Sequence, residues 1–352
     1  MTILVTGSAG FVGSNFVLDW FDQSEEDIVS LDLLTYAGNL ENLSSLSKNP
    51  HHHFVKGNIG DRDLVLEILK KHQIMAIINF AAESHVDRSI HDSKDFIQTN
   101  ILGAYNILES ARSYWNDLDE NLKQDFRFLH ISSDEVYGSL HSSDQPSTES
   151  CPYKPNSPYS ASKAASNHLV RAWFQTYKLP VLTVNSTNNY GPYQFPEKLI
   201  PLCILNAING KSLPIYGDGQ QIRDWLYVKD HGAAIRKILN EGQIGETYNV
   251  GGWNTKTNLE VVETLCDILD ELKPKLDGKS YRDQIIFVKD RPAHDTRYAT
   301  DPSKLEREVN WKPKETFETG ILKTVLWYLE HETWMNNLVS GKYQSWVQKQ
   351  YL

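Results

Sequence analysis

Ser133, Asp134 and Glu135 stand consecutively in the run ISSDEVYG, Ile131 to Gly138, and put a hydroxyl and two carboxyls side by side. Downstream, PYSASKAASNHL reads as the start of a helix in which Tyr159 and Lys163 lie four residues apart on one face. A phenol beside an ammonium is a candidate base, because a neighbouring positive charge draws the tyrosine pKa down from its usual value of about 10. An acid, a base and a hydroxyl next to such a pair can move protons on and off both carbon and oxygen. Each piece has a bland alternative: Tyr and Lys at this spacing occur on many surface helices, and Asp-Glu pairs at strand ends are usually solvated turns. Their coincidence favours chemistry.

The elements that must position these groups are legible around them. The apolar run Phe126 to Ile131 predicts a strand that delivers Ser133, Asp134 and Glu135 at its carboxyl end, the edge where open parallel sheets bind ligands. At the start of the chain, Ile3 to Val5 reads as a buried strand, GSAGFVG as a glycine turn, and the residues through Trp20 as an amphipathic helix. Gly7 permits the tight turn, Gly10 lets a pyrophosphate approach the backbone, and Gly13 lets the helix sit close on the sheet. A second strand, Ile28 to Leu31, ends on Asp32, about twenty residues beyond the loop, where a carboxylate would accept both hydroxyls of an adenosine ribose. That pattern predicts NAD rather than NADP, against the alternative that Asp32 is only a strand-end turn residue. A cationic nicotinamide would add to the pull of Lys163 on Tyr159.

The strand and helix alternation continues, and the fold class expected is α/β, a Rossmann-type doubly wound parallel sheet with a smaller C-terminal substrate lobe. Phe54 to Lys56 leads into GNIGD, where Asn58 and Ile59 would lie against the adenine. Helix Leu64 to Lys71 and strand Met75 to Phe80 end in AAESHVDRSI, in which small Ala81 and Ala82 allow a cofactor ribose to pass. His85 is read evenly as a substrate contact or a loop histidine. The next helix carries Ile101, Leu102, Tyr105, Ile107 and Leu108 at helical spacing, a core face with one exposed stripe. Paired with the Tyr159 helix across a two-fold axis, it predicts a four-helix dimer interface.

Beyond Tyr190 the alternation loosens into NNYGPYQFPEKLIP, a loop rich in Asn, Pro and aromatics that suits wrapping a ligand. The domains expected are a nucleotide-binding unit over 1–190 with 225–250 returning to it, and a substrate lobe over 191–224 and 251–340. The return is read from TYNVGG, which ends like another parallel strand.

Composition narrows the classes. With 352 residues, 40% hydrophobic and 23% charged, the chain is long enough for a full core and two lobes, and its net charge of −10 argues against coating a nucleic acid. Cys151, Cys203 and Cys266 lie far apart without CxxC spacing, so neither a disulfide framework nor a thiolate metal site is expected. The triplet His51 to His53 does not predict a metal site either, since consecutive strand residues cannot all face one ion. No apolar run approaches membrane-spanning length, and the first strand starts too early for a charged leader, so a cytoplasmic protein with no metal is expected.

The succession GSAGFVG, LDLLTYAGN, NFAAESHVDRSI, ISSDEVYG, YSASKA, NSTNNYGPYQFPEKLIP, YGDGQQIRDWLYV, YNVGG and RPAHDTRYA resembles the extended short-chain dehydrogenase/reductase family, to roughly Glu318. The resemblance is greatest to the members that dehydrate dTDP-glucose with recycled NAD, and it implies that Ser133, Asp134 and Glu135 are the hydroxyl, acid and base of the elimination. Related decarboxylases carry T-S-E there and 4-epimerases lack both carboxyls, so Asp134 discriminates. It further implies that Phe11, Val12, Thr35, Ser84, Thr99 and Asn189 hold the dinucleotide. On the same basis Asn188, Lys198 and Leu199 touch the sugar nucleotide, Pro214, Ile215 and Tyr216 line its base, and Arg223 and Arg291 meet the diphosphate. Planar guanidinium groups suit two linked phosphates, although Arg223 also has an adjacent candidate partner in Asp224. Asn258, His294 and Tyr298 complete the pocket by the same analogy. Ser133, Asn58 and Ala293 stand where that family usually has Thr, Asp and Gly. An epimerase or decarboxylase, or a non-catalytic NAD-binding regulator, remains the alternative.

Overall fold

Short apolar segments buried on both faces can be satisfied only inside a sheet covered by helices on each side, here with the half-buried His52–Lys56 as one edge. In the computed structural model, which describes residues 1–338, β1 (Ile3–Thr6), β2 (Ile28–Asp32), β3 (His52–Lys56), β4 (Ala76–Asn79), β5 (Arg127–Ser133) and β6 (Val181–Ser186) form that sheet. Two shorter strands follow, β7 (Asn188–Tyr190) and β8 (Leu213–Tyr216), and then β9 (Ile222–Tyr227). The series ends with β10 (Thr247–Val250), β11 (Thr255–Thr257) and β12 (Ile285–Val288). The large sheet runs β10-β6-β5-β4-β1-β2-β3 with every pairing parallel, the Rossmann-type arrangement expected. Because the chain steps outward from β1 to β2 and β3 on one side and from β4 to β6 on the other, a crevice opens at the carboxyl ends of β1 and β4.

Helices seal both faces. On one, Phe16, Val17 and Trp20 of helix Phe11–Phe21 pack with Ile235, Ile238 and Leu239 of helix Val228–Glu241. On the other, Ile107, Leu108 and Ala111 of helix Ala104–Asn116 pack with Val170 and Trp173 of helix Pro158–Tyr177. The stretch Ile97–Gly103 that leads into Ala104–Asn116 is π-helical, a widened turn of the kind that recurs at functional sites.

The second core gathers Tyr190, Ile204, Leu213, Ile215, Val261, Leu265, Phe317 and Tyr328. It is framed by the small sheet β11-β9-β7 and the pair β12-β8. The chain crosses between the cores more than once. Leu226 and helix Val228–Glu241 serve the first core and β10 pairs with β6, whereas Trp225 and Tyr227 of β9 pack into the second core. Leu305, Val309 and Trp311 also pack into the first core, although their segment falls within the span assigned from sequence to the substrate lobe. Residues 339 and 340 of that span lie outside the described residues.

Candidate active site

The glycine turn is built by exclusion. Gly7 has φ +65°, and a Cβ there would sit 2.7 Å from the Ala81 nitrogen at the end of β4. A Cβ on Gly13 would lie 2.2 Å from the Gly7 carbonyl oxygen, so Gly13 lets the helix close on the turn itself, rather than on the sheet as expected. Asp32 is 8% exposed, and its two carboxylate oxygens accept from the Ala9 amide at 2.9 Å and the Leu34 amide at 2.7 Å. It therefore serves the turn and still lines the cleft; each oxygen keeps a lone pair for a ligand hydroxyl.

A cleft of about 310 Å³ opens over this turn, and every residue expected above to hold the dinucleotide lines it, from Gly7 to Asn189. The buried oxygens Asn188 Oδ1, Asn189 Oδ1, Gln194 Oε1 and Ser132 Oγ line the same walls without a hydrogen-bond partner. Orphaned buried acceptors and hydroxyls of this kind ask for a polar ligand, and the residues fit a dinucleotide.

The chemical groups converge where β5 ends. Ser133 is its last residue, its hydroxyl accepts from the Glu135 amide at 3.2 Å, and the Tyr159 phenol lies beside it. Tyr159 and Lys163 enter on a helix that Ser157 and Ser160 cap reciprocally, with Pro158 in its first turn. Asn100, from the π-helical turn, accepts from the Glu83 amide at 2.9 Å and donates to Ser162 Oγ at 2.8 Å, tying that helix to the cleft wall.

Burial then sorts the protons. Asp134 is 3% exposed, its Oδ2 has no partner, and burial together with the charges of Glu135 and Asp224 pushes its pKa well above the carboxylate range. Glu135 is also raised by burial, but Arg291, Arg223 and Lys198 pull the other way. Both carboxyls are thus pushed toward the protonated form, Asp134 by burial and negative neighbours and Glu135 by burial that three cations partly offset. Lys163 donates to the Ile131 carbonyl at 2.7 Å, and burial draws its pKa down to about 7. Tyr159 departs from expectation: burial and the two carboxyls raise its pKa, so the protein's own groups do not bring it toward neutrality.

The residues assigned to substrate divide. Asn188, Lys198 and Ser133 line the cleft. Lys198 Nζ donates to the Ser84 carbonyl at 2.8 Å. Around Glu135 a second polar cluster forms, in which Arg291 pairs with Asp87 at 2.7 Å and the Tyr216 hydroxyl meets the other Asp87 oxygen at 3.1 Å. Arg223 does not pair with Asp224; it donates to the Ile222 and Asp295 carbonyls and lies 4.4 Å over the Tyr298 ring. Tyr298 hydrogen-bonds Asp295, His294 bonds Asp290 at 2.6 Å, and Asn258 reaches Gln221 at 3.5 Å. Ile215 is 1% exposed inside the second core and Leu199 packs half-buried against it, whereas Pro214 and Tyr216 lie on the other face of β8. His85 faces the Glu197 carbonyl at 3.3 Å outside the cleft lining, and burial lowers its pKa to about 4.

Sequence reasoning missed Glu83, Gln194, Phe195, Glu197 and His231, all of which line the cleft. Gln194, Phe195 and Glu197 lie in the loop already marked as ligand-wrapping, so that signal was present. The three histidines of the triplet turn apart: His51 bonds Asp27 and His52 bonds Ser30, while the His53 ring stands 5.3 Å from that of His72. No helix among the described residues is long and apolar enough to cross a membrane.

A seven-stranded Rossmann sheet with a Tyr-Lys pair and two adjacent carboxyls at its crevice defines a short-chain dehydrogenase/reductase type of fold. The sequence model described as GDP-mannose 4,6 dehydratase matches residues 4–324. A dTDP-glucose 4,6-dehydratase of Salmonella typhimurium is 55% identical, over 100% of this chain and 99% of the relative. The crystal structure of dTDP-glucose 4,6-dehydratase from Bacillus anthracis in complex with NAD superposes with a TM-score of 0.85 at 44% identity, covering 96% of this chain and 99% of that one. The Streptomyces venezuelae dTDP-glucose 4,6-dehydratase, with NAD and TYD bound, gives a TM-score of 0.87 at 41% identity, with 96% and 100% covered. The chain belongs to the dTDP-glucose 4,6-dehydratase family.

Proposed function

We propose that the chain is a hydro-lyase that converts dTDP-glucose to dTDP-4-keto-6-deoxyglucose with recycled NAD. The observation that carries this reading is the contrast between Asp134, buried among negative charges, and Glu135, facing three cations, beside Ser133 and Tyr159. An epimerase would give Asp134 no task.

Bound NAD supplies the hydride acceptor for carbon 4, the donor for carbon 6, and a cationic ring whose charge lowers the Tyr159 pKa that the protein alone raises. Tyr159 accepts the proton of the sugar 4-hydroxyl, which Ser133 orients, and the Lys163 ammonium stabilises the phenolate. The ketone so formed acidifies carbon 5, whose proton passes to Glu135. Asp134 gives its proton to the 6-hydroxyl, which leaves as water, and Glu135 later returns a proton to carbon 5. Asn188 and Lys198 hold the sugar, Arg223 and Arg291 the diphosphate, Pro214 and Tyr216 the base. Asn258, His294 and Tyr298 close the far side.

The assembly is a homodimer in this reading. Helices Ala104–Asn116 and Pro158–Tyr177 pack side by side, with Tyr105 edge-on to Trp173 at 5.8 Å. The same face leaves Leu102 44%, Tyr105 39% and Tyr177 42% exposed, an apolar stripe that a second copy would cover. The three cysteines are free thiols, in keeping with a cytoplasmic setting.

Heavy water tests the chemistry. Product formed in it from dTDP-glucose carries deuterium at carbon 5 and none at carbon 6, with one water lost and no net NAD consumed. Unchanged substrate mass, or solvent deuterium at carbon 6, would falsify the dehydration scheme.

A further inference from the structure

Tyr36 lines no part of the cleft, yet its neighbours Thr35, Ala37 and Gly38 do. The loop they share is tied down at both ends: the Leu34 amide donates to Asp32 Oδ1 at 2.7 Å, the Gly38 amide to the Thr35 carbonyl at 3.2 Å, and the Asn39 amide to the Ala9 carbonyl at 3.0 Å. Its tip is fastened from across the cleft. The Arg88 guanidinium lies 3.8 Å over the Tyr36 ring, and the Phe195 ring meets that ring edge-on at 5.7 Å. The Tyr36 hydroxyl lies beside the Glu197 carboxylate, which accepts from Arg88 Nε at 2.9 Å. Arg88 follows β4, whereas Phe195 and Glu197 belong to the loop that leads into the second lobe, so one side chain joins three separate segments over the cleft.

We infer that Tyr36 is the clasp of a cofactor-retaining strap: held between Arg88, Phe195 and Glu197, it keeps loop 33–39 closed over the bound dinucleotide between turnovers. This rests on the NAD reading above and deepens it. A reaction that returns its hydride to the same sugar has no need to release the dinucleotide, whereas a dehydrogenase that exchanges cofactor at each cycle would be slowed by such a closure. The clasp needs no contact with reacting atoms. It acts through the position of Thr35, Ala37 and Gly38, and the stacked guanidinium together with the Phe195 ring contact supplies enough attraction to change a release rate by about tenfold or more.

The test is a chase. Protein loaded with radiolabelled NAD and freed of excess is diluted into unlabelled NAD, and label retained is followed for the wild type, Tyr36→Phe and Tyr36→Ala. Tyr36→Ala is expected to release NAD at least about tenfold faster, and Tyr36→Phe, which keeps the ring but not the hydroxyl, by an intermediate factor. With saturating NAD in the assay, both variants should turn over near the wild-type rate, which separates retention from damage to the catalytic groups. Release from Tyr36→Ala at the wild-type rate overturns the strap. If Tyr36→Ala fails to fold, Tyr36→Phe decides alone, and a folded Tyr36→Phe that releases NAD at the wild-type rate overturns the clasp. Wild-type protein that retains no NAD at all would sink the functional reading itself, and the strap with it.

Discussion

Asp134 and Glu135 are neighbours in sequence with opposite electrostatic surroundings, and that difference is the centre of the proposed chemistry. Replacing Asp134 by Asn removes the proton donor while keeping size and polarity, so the first oxidation should proceed and water loss should slow by roughly a hundredfold to ten-thousandfold. Stopped-flow absorbance should then show reduced NAD accumulating on mixing with dTDP-glucose; no reduction despite bound substrate would assign Asp134 to the oxidation instead. Lys163 yields a pH prediction. Burial lowers its pKa to about 7 from 10.5, so between those values the unfolded chain holds a proton that the folded one does not, and its contribution to stability rises with pH. The destabilisation is full below pH 7 and fades toward pH 10. Lys163→Met without cofactor should therefore melt higher than wild type at pH 6, with the gap narrowing at pH 9, while activity is lost. A gap that widens with pH would refute the assignment. Ala293, where the resemblance sets Gly, has φ +51°, a left-handed conformation that Gly adopts freely and Ala does not.

The glycine turn and the Tyr159 helix are the elements that turn these residues into a site. Gly13 sits so close to the Gly7 carbonyl oxygen, 2.2 Å from where a Cβ would be, that the helix and turn must part if a methyl is added. Gly13→Ala should cost about 1–3 kcal/mol of stability and most of the NAD affinity. Thermal melts and NAD titration check this together; unchanged NAD binding would show that the turn is not the phosphate cradle. The helix carrying Tyr159 was readable from its S-P-Y-S start, since Ser157 and Ser160 cap it reciprocally. The π-helical turn over Ile97–Gly103 was not readable, because its apolar spacing is that of an ordinary helix and the widening serves Asn100, whose bonds to Glu83 and Ser162 come from distant segments.

At the scale of the molecule, the exposed stripe of Leu102, Tyr105 and Tyr177 leads to a prediction about assembly. Leu102→Arg should convert a dimer to a monomer, because an unpaired guanidinium buried at the centre of a two-fold apolar contact is repeated on both copies. Sedimentation of the variant beside wild type decides it, and a wild-type monomer would remove the proposed interface altogether. The sequence alone determined the parallel sheet, its glycine turn, Asp32 at the second strand end and the gathering of Ser133, Asp134 and Glu135 at the end of a strand, because these depend on periodicity and on fixed spacings along one chain. The tertiary structure alone decided which residues of the second lobe face the cleft. Leu199 and Ile215 went to the second core, Arg291 paired with Asp87, and 303–311 returned to the first core, outcomes set by contacts between segments that no local pattern records. It also set the upward pKa shifts of Asp134 and Tyr159, because desolvation depends on everything packed around a group and not only on its neighbours in sequence.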